Sequence, residues 1–350
     1  MSSLSSPSGA PTSLSQLCRS KDNSFGPYAG DCRGGFDFTL LFEETILFIL
    51  PLAVLILIAP FRLYYLLKKQ IKVVSSSLLY SKHVSFALFT VLQLVVLILS
   101  ARSTTLKTKA TVAAVVIGFI GALIQWLVSY VEHVRSVRPS DLLNTYLFIS
   151  LLLDVARART FWLRRDVHAI AAVFTTGVCF KAINLLLEAT EKRSNLKASY
   201  KAYPPEATSS IFSRFFFSWQ WPLFRKGFSS TLVVDDLFTL DKHLSSENLY
   251  GLFRSAWKQA IRVESSPSLF SMTFRILKWP VVSAVFPRLA LTAFMYCQPF
   301  LIDTAVSLSL TPVDGATMNQ GYGLIGASIL VYVGIAVSPS SVLQNALADE

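Results

Sequence analysis

Charge is scarce in this sequence: Asp, Glu, Lys and Arg make up 15% of its 350 residues, against about 25% in an ordinary soluble domain. Histidine and cysteine are scarcer still, at 4 residues each. His83, His133, His168 and His243 lie far apart without the spacing of metal ligands, so no metal site is expected. Four cysteines are too few for a disulfide scaffold. With 15 Gly and 15 Pro the chain is neither collagen-like nor low-complexity. The N-terminal polar stretch has no basic start and no small-residue cleavage site, so the first apolar segment is expected to be retained and not removed as a signal peptide. What is abundant is apolar side chain: 53% of the chain, giving a mean hydropathy of +0.51. The apolar excess falls in long runs, which excludes an ordinary cytosolic enzyme. The net charge of +11 does not mark a nucleic-acid binder, because no basic stripe with interleaved aromatics accompanies it. Lys and Arg cluster beside the apolar runs, as in loops held against anionic headgroups.

A bilayer core of about 30 Å needs roughly 20 apolar residues per helix. Seven segments meet or approach that length: Phe38–Pro60, Val84–Ala101, Ala110–Val131, Leu142–Ala156, Ala169–Leu187, Val281–Leu308 and Gly321–Val337. The sequence therefore predicts an all-α integral membrane protein. Arg62, Lys68, Lys69, Lys72 and Lys82 follow the first run, and Lys192, Arg193, Lys197 and Lys201 follow the fifth. By the positive-inside rule both loops are cytosolic, which leaves the N-terminus external. Arg157, Arg159, Arg164 and Arg165 in the intervening loop oppose that assignment.

Cys18 and Cys32 lie in the polar tail. If that tail is external they are candidates for a disulfide worth about 3 kcal/mol; the alternative is two free thiols. Cys179 and Cys297 lie in apolar runs and read as core-packing thiols. Charged groups within spans are the strongest functional clue. Asp154 and Lys181 are a candidate ion pair between the fourth and fifth spans. With the fourth span ending at Ala156, however, their depths differ by roughly 15 Å, which favours separate partners. Glu43 and Glu44 are expected at the membrane interface.

Between the fifth and sixth spans the composition changes. A charged stretch from Glu188 to Lys201 leads to Tyr203-Pro204-Pro205, and then Phe212, Phe215, Phe216 and Trp219 recur on one side at helical spacing. That pattern predicts a short helix lying in the headgroup plane. Ser245 or Ser246 can cap a further helix running through Trp257. Leu269–Trp279 is amphipathic, Pro280 marks the entry to the sixth span, and Gln298-Pro299 interrupts that span as a polar kink.

Three local strings bear a family likeness. Cys32-Arg33-Gly34-Gly35-Phe36-Asp37-Phe38-Thr39 enters the first span, and Glu132-His133-Val134-Arg135-Ser136-Val137-Arg138-Pro139-Ser140 joins the third to the fourth. Phe217-Ser218-Trp219 continues through Trp221-Pro222-Leu223-Phe224-Arg225-Lys226-Gly227 to Asp236-Leu237-Phe238 and Leu240-Asp241. From about Cys18 to Val337 the chain resembles the N-terminal quarter of a fungal ABC transporter of the C subfamily, the multidrug-resistance-associated type. The resemblance implies a polar external tail (1–37), a five-helix N-terminal membrane domain (38–188) and a cytosolic lasso-like linker with amphipathic helices (189–268). The first two helices of a transport core (269–337) and a divergent tail (338–350) would follow. It also implies export of small organic molecules from a plasma membrane, or alternatively a vacuolar one.

The departures matter as much as the match. The sequence contains no G-x-x-x-x-G-K-[ST] motif, whose backbone amides and Lys cradle ATP phosphates; Lys226-Gly227 has the wrong order. The chain is expected to bind no cofactor and to be no enzyme by itself, ATP and Mg entering only with domains it does not carry. Its expected partners are the lipid bilayer and a full-length or complementary ABC transporter chain. An inactive transporter fragment and a free-standing interaction module regulating a full transporter are the two leading functions. A seven-helix receptor is disfavoured because residues 321–337 hold no Schiff-base Lys, and a membrane acyltransferase or desaturase because no His–Asp pair or His box is present.

Overall fold

The computed structural model describes residues 21–26, 38–74, 76–102, 108–164, 167–200, 203–238, 246–263, 268–276, 278–312 and 315–348. Cys18, Cys32, His243 and the Leu240-Asp241 pair lie outside the described residues. The chain divides into two compact units, Met1–Thr190 and Glu191–Glu350.

The first unit is a five-helix bundle. Helix α1 (Leu40–Leu67) begins at Thr39, whose hydroxyl accepts from the Phe42 amide at 3.4 Å and donates to the Gly26 carbonyl at 2.6 Å. Its residues Glu43–Ile49 are π-helical. This wider turn, which recurs at functional sites in helical proteins, brings Glu43 and Glu44 together into the interior. Helices α2 (Ser77–Arg102), α3 (Thr111–Arg135), α4 (Asp141–Leu163) and α5 (His168–Ala189) follow. Ser140 caps α4 by accepting from the Leu143 amide at 3.0 Å. Helix α2 packs on both α3 and α5, α4 packs on α5, and α1 packs on α3. The α1–α3 approach is close because α3 presents glycine: a Cβ on Gly121 would stand 2.5 Å from Leu52 Cδ1. Such small-residue contacts replace the hydrophobic drive that lipid cannot supply. Leu57, Leu127, Leu152 and Leu186 point outward and are exposed.

Helices α1, α2, α3 and α5 are long and apolar enough to cross a membrane, as is Pro287–Ser309 in the second unit. Helix α4, with 23 residues, is as long as α5 but carries Asp154, Arg157 and Arg159 in its second half, which lowers its mean hydropathy. Two expected boundaries are corrected. The second span starts not at Val84 but at Ser77, which carries Lys82 into the bundle; the fourth runs to Leu163 instead of Ala156.

In the second unit Ser210 caps α6 (Ile211–Phe215), accepting from the Ser213 amide at 3.2 Å. Phe217 then takes a left-handed conformation with φ 53°, and α7 (Trp221–Ser229) begins with Pro222 in its first turn. The expected single aromatic helix is thus two short helices with a turn between them: Phe212 and Phe215 lie on α6, Phe216 and Trp219 in the turn. The bulky Phe216-Phe217 step, taken left-handed, breaks the helical periodicity. Phe215 and Phe216 meet edge-on with ring centroids 4.9 Å apart, and Trp219 lies 6.0 Å from Phe238. Lys226 bonds to Asp236, whose carboxylate also accepts from the Val233 amide at 3.2 Å. Together these two donors hold the Asp236 carboxyl below its usual value.

Helices α8 (Ser246–Val263) and α9 (Leu269–Ile276) lead to the antiparallel pair α10 (Lys278–Ser309) and α11 (Gly315–Ala348). Helix α11 also touches α6. Helix α10 continues through Pro287 and Pro299, so Gln298-Pro299 removes a backbone donor without ending the helix. The backbone of α11 likewise runs past Pro339 to Ala348; the expected divergent tail continues the helix. Cys179 and Cys297 are both exposed on their helices, which corrects their reading as core-packing thiols.

Candidate functional site

The interior of the five-helix bundle is built around charge. Three clusters lie along it, and each closes helices on one another.

Near the loops that follow α1 and α3, Glu188 of α5 accepts from Lys82 Nζ of α2 at 2.8 Å and from Ser129 Oγ of α3. The Asn144 amide of α4 reaches the Glu188 backbone carbonyl at 3.4 Å. Four helices therefore meet at one residue, with the Lys82 and Glu188 side chains 2% and 0% exposed. One step outward, Arg62 Nε of α1 pairs with Glu132 Oε1 of α3 at 2.7 Å.

Deeper in the bundle, Lys181 of α5 donates to Asp154 of α4. The separation of roughly 15 Å expected from the sequence does not hold, because α4 runs on to Leu163. Counted from the α4–α5 turn, the two residues differ by four positions, or about 6 Å of helix, which a Lys side chain spans. Helical register places the neighbouring layers too. About 16 Å along the bundle from the Glu188 layer, the Gln93 amide of α2 lies between Gly118 of α3 and Gly177 of α5; Cβ atoms on these glycines would approach it at 3.6 and 3.9 Å.

At the Thr39 end, Glu44 accepts from Thr108 Oγ1 and from Thr111 Oγ1 at 2.9 Å, and Arg157 of α4 lies 3.7 Å from its Oε1. Glu43 accepts from Thr160 Oγ1. Both glutamates are fully buried inside the bundle end; the π-helical turn and the threonines of neighbouring helices draw them in. The Arg157 guanidinium is ringed by Phe48, Phe161 and Phe174, with centroids 4.6, 5.3 and 5.3 Å away, an arrangement in which the aromatic faces supply attraction that lipid would not. Arg164 pairs with Asp22 at 3.3 Å, and the Lys109 amide bonds Asn23 Oδ1 at 3.2 Å, so residues 21–26 are tied to this end.

Chemically this is a set of neutralised pairs, each cation matched by a carboxylate or an aromatic face. Among the described residues no group of three His, Cys, Asp or Glu is placed to hold a metal. The arrangement fixes helix identity and register.

Sequence reasoning identified only Asp154 and Lys181 from this network. Lys82, Glu188, Arg62, Glu132, Glu43, Glu44 and Arg157 were placed in loops or at interfaces. The available signal was polar periodicity: Gln125, Ser129 and Glu132 on α3, and Lys181, Asn184 and Glu188 on α5, recur at helical spacing inside apolar runs.

Comparison with known proteins places this geometry. Residues 15–175 match the ABC transporter TMD0 domain. The chain is 46% identical over 324 residues to ABC multidrug transporter B of Aspergillus fumigatus, an alignment covering 92% of this chain and 22% of that protein. It is 45% identical over 320 residues to an ABC-type transporter of Gibberella zeae, covering 91% and 22% respectively. An ABC multidrug transporter of Purpureocillium lilacinum is 41% identical over 321 residues, covering 91% and 21%. The chain thus spans about a fifth of the length of these relatives. The matched residues 15–175 take in most of the five-helix bundle, so the bundle is similar to the ABC transporter TMD0 domain, and the chain is similar to the N-terminal part of fungal ABC multidrug transporters.

Proposed function

We propose that this chain is the N-terminal membrane module of an exporter of small organic molecules such as drugs, conjugates or secondary metabolites. In this reading the N-terminus is external and residues 189–268 form a cytosolic lasso-like linker. Helices α10 and α11 begin the transport core, and the protein resides in the plasma membrane. The chain does not drive transport alone: ATP and Mg bind where a phosphate-cradling loop exists, and this sequence contains none. The observation that carries the reading is similarity to an ABC multidrug transporter over 92% of this chain, at 46% identity over 324 residues, an extent that takes in residues of both units.

The test is a chimaera in which this chain replaces the aligned stretch of the Aspergillus fumigatus relative, expressed in yeast lacking its own drug exporters. Efflux of a fluorescent drug is expected from the chimaera and not from this chain alone. A chimaera that reaches the membrane and hydrolyses ATP but exports nothing overturns the proposal. An N-glycosylation acceptor placed within residues 1–20 checks the topology: modification is expected there, and modification at an acceptor near Ser230 instead reverses the orientation. A tagged chain that labels the vacuolar membrane and not the cell periphery overturns the plasma-membrane assignment.

The compactness of Met1–Thr190 as its own unit favours a second reading, a free membrane module that binds a full transporter. Co-purification of residues 1–190 with a tagged full-length relative, and loss of that relative's efflux on over-expression, would support it over the first.

A further inference from the structure

The loop after α1 gathers cations that carboxylates leave largely unmatched. Lys68 Nζ stands 4.1 Å over the Tyr64 ring and Lys69 Nζ 4.2 Å over the Tyr65 ring. Arg135, at the end of α3, donates to the Leu67 carbonyl and to the Lys69 carbonyl at 2.8 Å. The Lys72 amide donates to the Val134 carbonyl at 3.0 Å. These bonds hold residues 67–73 against the end of α3 and bring Lys69, Lys72 and Arg138 into mutual range. Among the described residues Lys68, Lys69 and Arg135 have no carboxylate partner; the acids at this end, Glu132 and Asp141, pair with Arg62 at 2.7 Å and Arg138 at 3.9 Å. Partial burial lowers the affinity of the Lys72 amine for its proton, and repulsion from Lys69 and Arg138 lowers it further, against an opposing effect of Tyr65. The site is short of negative charge.

Apolar side chains alternate with these cations. Leu67, Ile71 and Val74 are each more or less half-exposed, and Tyr64 and Tyr65 lie open on the same end of α1. Phenol rings with Lys heads above them mark the level of the headgroups. A soluble acidic partner would leave Leu67, Ile71 and Val74 in water, whereas a phospholipid supplies a phosphate for the cations and acyl chains for the apolar residues.

We propose that Lys68, Lys69, Lys72 and Arg135 form a binding site for one anionic phospholipid headgroup, seated at the α1 end of the loop with its acyl chains along Tyr64, Tyr65 and Leu67. The site rests on the membrane-spanning reading of α1 and α3 and not on the proposed orientation or transport activity. Its test is therefore independent of both.

The experiment titrates the purified full chain in detergent with dioctanoyl phosphatidylserine and dioctanoyl phosphatidylcholine, and counts retained lipid by native mass spectrometry. A preference for the serine lipid is expected. It should fall about fivefold for each of Lys68→Gln, Lys69→Gln and Lys72→Gln, the effect of about one Lys near an anionic surface, and be unchanged by Lys109→Gln at the opposite end. Elution of each variant as the same monodisperse species shows that it folds, and Lys69→Gln alone keeps the test open if either of the other two does not fold. Equal retention of both lipids, or a preference that the three variants leave untouched, overturns the proposal. Saturation by inorganic phosphate or polyglutamate at the same concentration overturns the lipid assignment in favour of a free anion or an acidic protein segment.

Discussion

Removing one partner of the Lys82–Glu188 pair should be among the costliest single changes in this protein, and removing both far less costly than the sum. With the two side chains 2% and 0% exposed, Lys82→Met leaves a carboxylate in the interior with only Ser129 and no counter-charge. Glu188→Met leaves an ammonium there with no acceptor. Breaking a buried pair from one side costs about 3–5 kcal/mol, a large share of a total stability of about 5–15 kcal/mol. Replacing both by methionine removes both charges at once and strands only the Ser129 hydroxyl, at about 1–3 kcal/mol. Additive behaviour would put the double variant at roughly 6–10 kcal/mol; the geometry puts it near the 1–3 kcal/mol of the hydroxyl. The assay is unfolding by SDS in mixed micelles, followed by the fluorescence of Trp126 and Trp162. Single variants close to the parent, or a double variant as unstable as the sum, would refute the claim that this pair joins the helices as a unit.

Three further outcomes follow from the same bundle and from the linker. Asp154→Lys or Lys181→Asp alone should abolish folding of the bundle, and the combined reversal should restore part of it; a double variant no better than the worse single shows that the two groups do not act as a pair. Gly121→Val should destabilise by about 1–3 kcal/mol through overpacking, because its Cβ would stand 2.5 Å from Leu52 Cδ1. Leu52→Ala should recover part of that loss, and a Gly121→Val variant with parental stability would disprove the close approach. The Lys226–Asp236 turn should hold above the ordinary Asp value of 3.8 and open as pH falls through the lower value of the folded state, since Lys226 and the Val233 amide depress the Asp236 carboxyl. Loss of exchange protection at the Val233 amide with a midpoint at or above the ordinary Asp value of 3.8 would contradict that direction.

The apolar runs made the spans legible, because about 20 apolar residues have few other uses. Span ends were less so. Lys82 reads as loop when charge alone marks a boundary, yet it is buried because Glu188 on a helix far along the chain supplies its partner. Asp154 and Lys181 were picked out but placed at unequal depths for the same reason: Arg157 and Arg159 seemed to end α4, whereas Phe48, Phe161, Phe174 and Glu44 keep Arg157 inside. Glu43 and Glu44 depended on a π-helical turn that no residue pattern announces. Phe212, Phe215, Phe216 and Trp219 do repeat at helical spacing, but spacing carries no information about the left-handed step at Phe217. For Lys82, Asp154 and Arg157 a contact distant in sequence overrode the local signal.

The charges on α4 bear on how the protein is made. Asp154 and Arg157 near the middle of a helix each cost about 2.5–3.5 kcal/mol in lipid, so α4 emerging alone from the translocation channel has little reason to stay in the bilayer. One of its partners, Glu44, has already been synthesised; the other, Lys181, is still inside the ribosome or only just leaving it. Helix α4 therefore has to wait at the channel until α5 arrives, and the two enter as a hairpin against α1. Any change that slows or shortens α5 would then appear first as a failure of α4 to insert, a defect of biogenesis in a helix whose own sequence is intact.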